Sequence, residues 1–200
     1  MTTRKIEVSN RKDILLLLLY VPGPSKELCE PITGRTRIMK LMYLFEKELY
    51  KQYDFHKMIP EGKMPAFEPY KYGPFSVDIF KDLSFFMNIN FIQQSTHGDE
   101  EAAMADMEEF ERYLEEFIIQ DEEVTAEIAS YEQVEFKLTD QGACFAEELL
   151  KSLSKEQQAA LTKFKVKYMT GNLNSLLVYV YRTYPESATK SEIKEKILDE

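Results

Sequence analysis

Two histidines, His56 and His97, are the only imidazoles in this 200-residue chain, and imidazole is the side chain best suited to acid–base work near neutral pH. Neither has a Cys, His or carboxylate at the spacing of a zinc site or of a nucleophile–base pair, and both fall in stretches that read as loops. Gly62-Lys63 lacks the upstream glycine and the following Ser/Thr of a phosphate-cradling loop, and no Gly-x-Ser-x-Gly elbow occurs. The pairs Glu108-Glu109, Glu115-Glu116 and Glu122-Glu123 recur at about two helical turns, the pattern of a solvated face rather than of converging metal ligands. These residue types predict a non-enzymatic chain that needs no metal and no cofactor. The chemistry left to it is binding, through the cations Arg35, Arg37, Lys40, Lys71 and Lys81 and the aromatic groups between them.

Two helices must position those groups. The run from Gly34 carries Ile38, Leu41, Met42, Phe45 and Leu49 on one face, which predicts a helix of about four turns whose first turns expose Arg35, Arg37 and Lys40. The aromatic-rich stretch Phe67 to Phe91 reads as an extended lead with Tyr70 and Tyr72, a Gly73-Pro74 corner, and a third helix. Gly can serve as N-cap and Pro at the first helical position has its φ already set, so that helix is expected to begin at Pro74. Ile79, Phe80, Leu83, Phe86 and Met87 then mark its buried face.

Ahead of these, Asn10 is the expected cap of a first helix, Arg11 to Tyr20, apolar on most sides. Tyr53 to Pro65 reads as a loop. After the third helix come a short strand, Phe91 to Gln94, and a polar break from Ser95 to Gly98. Val134, Phe136 and Leu138 alternate with Glu135 and Lys137 as a half-buried strand does. Thr139 is then the expected cap of a helix reaching Leu150. The C-terminal quarter is punctuated by a capping box at Ser154–Gln157, a stop at Gly171, an Asn172 cap and a second capping box at Thr189–Glu192.

Charge is unevenly spread. The net charge is −10, yet Asp99 to Glu135 holds 15 of the acidic residues and one arginine, which leaves a body with 24 basic and 20 acidic side chains. Within that segment Met107, Phe110, Leu114, Phe117 and Ile118 keep helical spacing, so an apolar stripe underlies the charge. Two cysteines, Cys29 and Cys144, are too few for a disulfide framework and fit a reducing compartment, so cytoplasm is the expected location. The longest apolar run, Ile14 to Val21, is far short of the roughly 20 residues of a membrane span, and no membrane partner is expected.

The order helix, helix, helix, strand, insertion, strand, helix predicts a mainly α (α+β) fold with a winged-helix-like core and a two-stranded wing. Residues 1–152 would form that domain, with an acidic helical insertion at 99–130, and residues 153–200 a C-terminal helical extension packed on it or forming a homodimer surface.

GRTRIMKLMYLFEKEL followed by FEPYKYGPFSVDIFKDLSFFMNINFI resembles the Panacea, or SocA-like, antitoxin domain of phage-associated proteins and its YwgA-type relatives. The matching positions are Arg35, Lys40, Leu41, Tyr43, Phe67, Tyr70, Tyr72, Gly73, Pro74 and Ser76, and LLVYVYRTYPESATKSEI resembles the YwgA-type tail. The resemblance implies an antitoxin, adaptor or phage-defence factor whose partner is a protein such as a toxin, a protease or a defence component. The acidic insertion is longer than a simple wing and departs from that pattern.

The third helix, in the recognition position, offers Asp78, Lys81 and Asp82, hence a single cation. DNA-reading helices carry several Arg, Lys, Asn or Gln, because phosphate contacts supply affinity and bidentate donors read bases. A protein partner is therefore the expectation, with a DNA-binding regulator using Arg35, Arg37, Lys40, Lys71 and Lys81 as the alternative. The acidic insertion is expected either to extend the wing or to fold over Arg35 and Arg37 as a flap.

Overall fold

A computed structural model describes residues 6–70, 73–97, 133–191 and 194–198 of the chain. The expectations for Lys71, Tyr72 and the acidic insertion at 99–130 lie outside the described residues.

Asn10 caps the first helix, α1 (Arg11–Tyr20), by accepting from the Lys12 N–H, while the Asp13 carboxylate accepts from the Asn10 N–H and closes a capping box. Every residue from Asp13 to Tyr20 is buried, so α1 is the central rod, packed on α4 (Asp140–Ser152), α5 (Lys155–Met169) and β5 (Gln133–Leu138). After the two-residue strand β1 (Ile32–Thr33), helix α2 (Arg35–Leu44) runs on into a π-helical turn, Phe45–Leu49. The stretch read as a loop from Tyr53 to Pro65 contains two 3-10 turns, Phe55–Lys57 and Glu61–Lys63.

The Gly-Pro corner differs from expectation. Glu68–Tyr70 (β2) and Gly73–Phe75 (β3) form an antiparallel hairpin, and the third helix, α3 (Val77–Asn88), begins at Val77 with Ser76 as N-cap. Pro69 and Pro74 face each other in that ladder. Ladder pairs alternate between those that exchange N–H···O bonds and those that do not, so a Pro–Pro pair fits the position that needs no N–H. Gly73 has φ +89°, a conformation that glycine reaches at little cost.

The strand after α3, β4 (Ile92–His97), is longer than expected and pairs antiparallel with β5 from Ile92↔Leu138 to His97↔Gln133. Ser95 to His97 thus continue the strand instead of breaking it, and His97 lies in the ladder rather than in a loop. Beyond the buried Ile92, the residues Gln93, Gln94 and Ser95 are exposed, so this part of the strand has no need of apolar residues. β1 joins the other side of β5, so among the described residues the sheet has three strands in the order β1-β5-β4 and is more than a two-stranded ribbon.

Thr139 Oγ1 accepts from the Gly142 N–H at the start of α4 and donates to the Asn90 carbonyl at 2.7 Å. A Cβ at Gly142 would stand 2.1 Å from the Phe91 carbonyl oxygen. Thr139 and Gly142 therefore tie the cap of α4 to the backbone that leaves α3. Ser154 and Gln157 close the expected capping box of α5, and Asn172 caps α6 (Leu173–Thr183). A 3-10 turn, Pro185–Ala188, precedes the short α7 (Lys194–Leu198). Thr189 does not open that helix; its hydroxyl donates back to the Glu186 carbonyl. Leu161, Phe164, Tyr168, Leu176, Leu177, Val180 and Tyr181 of α5 and α6 share one hydrophobic core with α1, α2, α3 and the sheet. The described chain is mainly helical with small antiparallel sheets, an α+β arrangement. Among the described residues no helix is long and apolar enough to cross a membrane.

Candidate interaction surface

Lys40, expected at the surface, is fully buried, and its Nζ donates to the Pro74 carbonyl at 3.1 Å. α2 lies between β3 and α6, so both its flanks are covered and a lysine there can only run inward. Tyr70 and Pro74 are buried beside it, with the Tyr70 ring 5.3 Å from that of Phe75. Gly73 is pressed against α6, where a Cβ would stand 2.6 Å from Tyr181 Cε1. Ser76 is buried, its N–H points at the Met39 sulfur, and its Oγ has no hydrogen-bond partner. The conspicuous corner is thus an internal joint that welds the hairpin to α2 and α6.

Arg37 is also spoken for. One of its guanidinium nitrogens donates to the carbonyls of Tyr168, at 2.9 Å, and Gly171, at 3.1 Å, and so caps the C-terminal end of α5. Burial lowers its pKa from the usual guanidinium value. Arg35 is half-buried with its guanidinium carbon 5.6 Å from the Phe136 ring centroid.

The outer face of α3 is different in kind. Lys81, Phe85 and Ile89 follow one another at helical spacing and are exposed, Phe85 by 43% and Ile89 by 40%. The Lys12 ammonium sits 3.9 Å over the Phe85 ring. Asp82, expected on this surface, is 2% exposed and turned toward α1, where Arg11 Nε meets it at 2.7 Å and Arg11 also reaches Asp78 at 3.4 Å. Burial raises the Asp82 carboxyl above its ordinary range, and the Arg11 guanidinium opposes that. What α3 shows the solvent is apolar and cationic, its acids having been drawn inward. Phe85 was legible in principle, because it lies off the Ile79–Leu83–Phe86 stripe.

Two further clusters had no sequence signal, since their members lie far apart in the chain. Glu48 accepts from the Tyr168 hydroxyl at 2.5 Å and the Tyr179 hydroxyl at 2.7 Å, and Lys167 lies 3.4 Å from its other oxygen. Burial and the Glu48 contact both raise the Tyr168 pKa, so its phenol remains the donor. Lys165 is fully buried and donates to the carbonyls of Val21, at 2.9 Å, and Glu30, at 2.6 Å. Burial brings its pKa down to about 8. Both clusters clamp α5 to its neighbours.

A groove of about 360 Å³ lies between Tyr20, Leu28, Leu150 and Leu153, with Glu147, Lys151, Lys155 and Gln158 at its rim. It brings no nucleophile together with a base. His56 is exposed, with its ring 6.2 Å from Tyr50, and no group of three or more His, Cys, Asp or Glu that could hold a metal occurs among the described residues. No family model, no curated protein and no solved structure matches this chain.

Proposed function

We propose that the chain is a non-enzymatic, winged-helix-like interaction module that binds a protein partner through the outer face of α3, in the manner of an antitoxin, adaptor or defence-associated factor. The observation that carries this reading is the exposed Phe85–Ile89 pair beside Lys12 and Lys81. Exposed aromatic and aliphatic side chains are the anchors of protein interfaces, whereas a base-reading helix carries several Arg, Lys, Asn or Gln. The order α1, β1, α2, α3 closed by β4 and β5 supports the winged-helix comparison, with the β2–β3 hairpin inserted between α2 and α3 and α3 in the recognition position. The alternative, a DNA-binding regulator, loses two of its named cations to internal work, since Lys40 and Arg37 are committed to backbone carbonyls.

The test is co-expression with the products of the neighbouring reading frames, followed by titration of any stable complex with the Phe85→Asp and Ile89→Asp variants. Each substitution should weaken the complex at least about tenfold, the size of a hot-spot loss. A complex indifferent to both would place the partner elsewhere and overturn this assignment.

A further inference from the structure

Among the described residues strand β4 is one edge of the sheet, and none of them lies in register on its outer side. The Phe91 carbonyl accepts from the Thr139 N–H, one of the two bonds of a bonded pair, which sets the phase of the ladder, while the Phe91 N–H donates to the Phe86 carbonyl. Ladder pairs alternate, so Gln93, Ser95 and His97 turn their backbone groups toward β5, whereas Ile92, Gln94 and Thr96 turn theirs outward. β5 fits this alternation, since the Val134 carbonyl on its other side accepts from the Gly34 N–H beside β1. Among the described residues the outward N–H and C=O groups of Ile92, Gln94 and Thr96 have no backbone partner.

Edges of this kind are normally blunted by charge, proline, a bulge or shortness. The opposite edge, β1, is two residues long. Among the described residues β4 has none of these protections and no covering helix or loop: its six residues, IQQSTH, include no Asp, Glu, Lys, Arg or Pro, and its register with β5 is unbroken. Gln93, Gln94 and Ser95 are exposed.

We propose that this edge pairs with β4 of a second copy of the chain, antiparallel about a two-fold axis at Gln94. Gln94 then exchanges two backbone hydrogen bonds with Gln94 of the second copy, and Ile92 pairs with Thr96 of the second copy. All three outward N–H and all three outward C=O groups are satisfied, and the two sheets become one of six strands. Charge selects both occupant and direction. An uncharged strand meets its own copy with no like charges opposite. In the sequence the acidic stretch follows the end of β4, so parallel pairing would start both stretches from adjacent strand ends. Antiparallel pairing sets the two His97 residues, after which the acidic stretches begin in the sequence, at opposite ends of the joint, about 20 Å apart along the strands. This inference does not rest on the role proposed for α3.

Sedimentation equilibrium of the full chain tests it. The mass should rise with concentration from 23.5 kDa to twice that value. Gln94→Pro deletes an N–H that the β4–β5 ladder does not use, and Gln94→Lys sets two ammonium groups against each other at the axis; each should raise the dimer dissociation constant at least about tenfold. Near-UV circular dichroism checks that both variants keep the native fold, and the lysine variant serves alone if the proline variant does not. In a Cys144→Ser background, Gln94→Cys should oxidise to a covalent dimer, because bonded antiparallel pairs hold their Cα atoms about 5.5 Å apart, within disulfide reach. A chain that stays monomeric at every concentration overturns the proposal. So does a dimer unmoved by the Gln94 substitutions, such as one made through the C-terminal helices.

Discussion

Lys40 Nζ lies 3.1 Å from the Pro74 carbonyl oxygen, in a place fully closed to water. The cation that follows Arg35 and Arg37 in the sequence is therefore a bracket between α2 and the hairpin. Lys40→Met keeps most of the side-chain volume and removes the donor. It should cost about 1 to 3 kcal/mol, the penalty for a buried acceptor left unpaired, measured by urea denaturation. A variant as stable as the wild type would mean that the contact does not hold the hairpin.

Ser76, Leu83 and Phe86 make a matched set. All three are buried, but Ser76 Oγ has no partner, whereas Leu83 and Phe86 fill the core side of α3. Leu83→Ala and Phe86→Ala should each cost about 2 to 5 kcal/mol. Ser76→Ala should be neutral or slightly stabilising, because it removes an unsatisfied hydroxyl. Similar losses at all three positions would contradict the packing of α3 described above.

Two glycines rank in the same way. At Gly73 an added Cβ meets a tyrosine ring that can shift, though the positive φ persists and Gly73→Ala should cost about 1 to 2 kcal/mol. At Gly142 the Cβ meets backbone, the Phe91 carbonyl, so Gly142→Ala should cost about 3 kcal/mol or more. Thermal melts that show the reverse order would refute the tie between α4 and the chain leaving α3.

Local features were legible in the sequence and non-local ones were not. The caps at Asn10, Thr139, Ser154 and Asn172, the spans of α1 and α2 and the alternation of β5 all follow from residues within a few positions of one another. The start of α3 was misplaced because Gly-Pro suits a helix start and a hairpin alike, and only the pairing of Pro69 with Pro74 decides. Lys40, Arg37 and Asp82 read as surface charges because charge type says nothing of which neighbours cover a helix. Their partners Pro74, Tyr168 and Arg11 lie 34, 131 and 71 positions away.

Lys165 gives the chain a pH signature. Burial depresses its folded-state pKa from 10.5 to about 8, with the Glu30 carboxylate opposing. Between those values the unfolded chain holds a proton that the folded chain has released, so this group's contribution to stability rises with pH. The full rise is on the order of 3 kcal/mol, at about 1.4 kcal/mol per pKa unit. Urea denaturation of wild type and Lys165→Met from pH 7 to 10.5 should show the gap between them widening in favour of the wild type. Parallel curves would mean that Lys165 is not buried as described.

The account turns on α3 meeting protein rather than DNA, and fluorescence anisotropy of a labelled random duplex titrated with the full chain at low and rising salt tests that most directly. The outer face of α3, apolar with Lys81 its own cation and Lys12 beside it, predicts no saturable binding even at low salt. Tight binding that falls steeply with salt and is lost in Arg35→Ala and Lys81→Ala would contradict the account and make the chain a DNA-binding regulator.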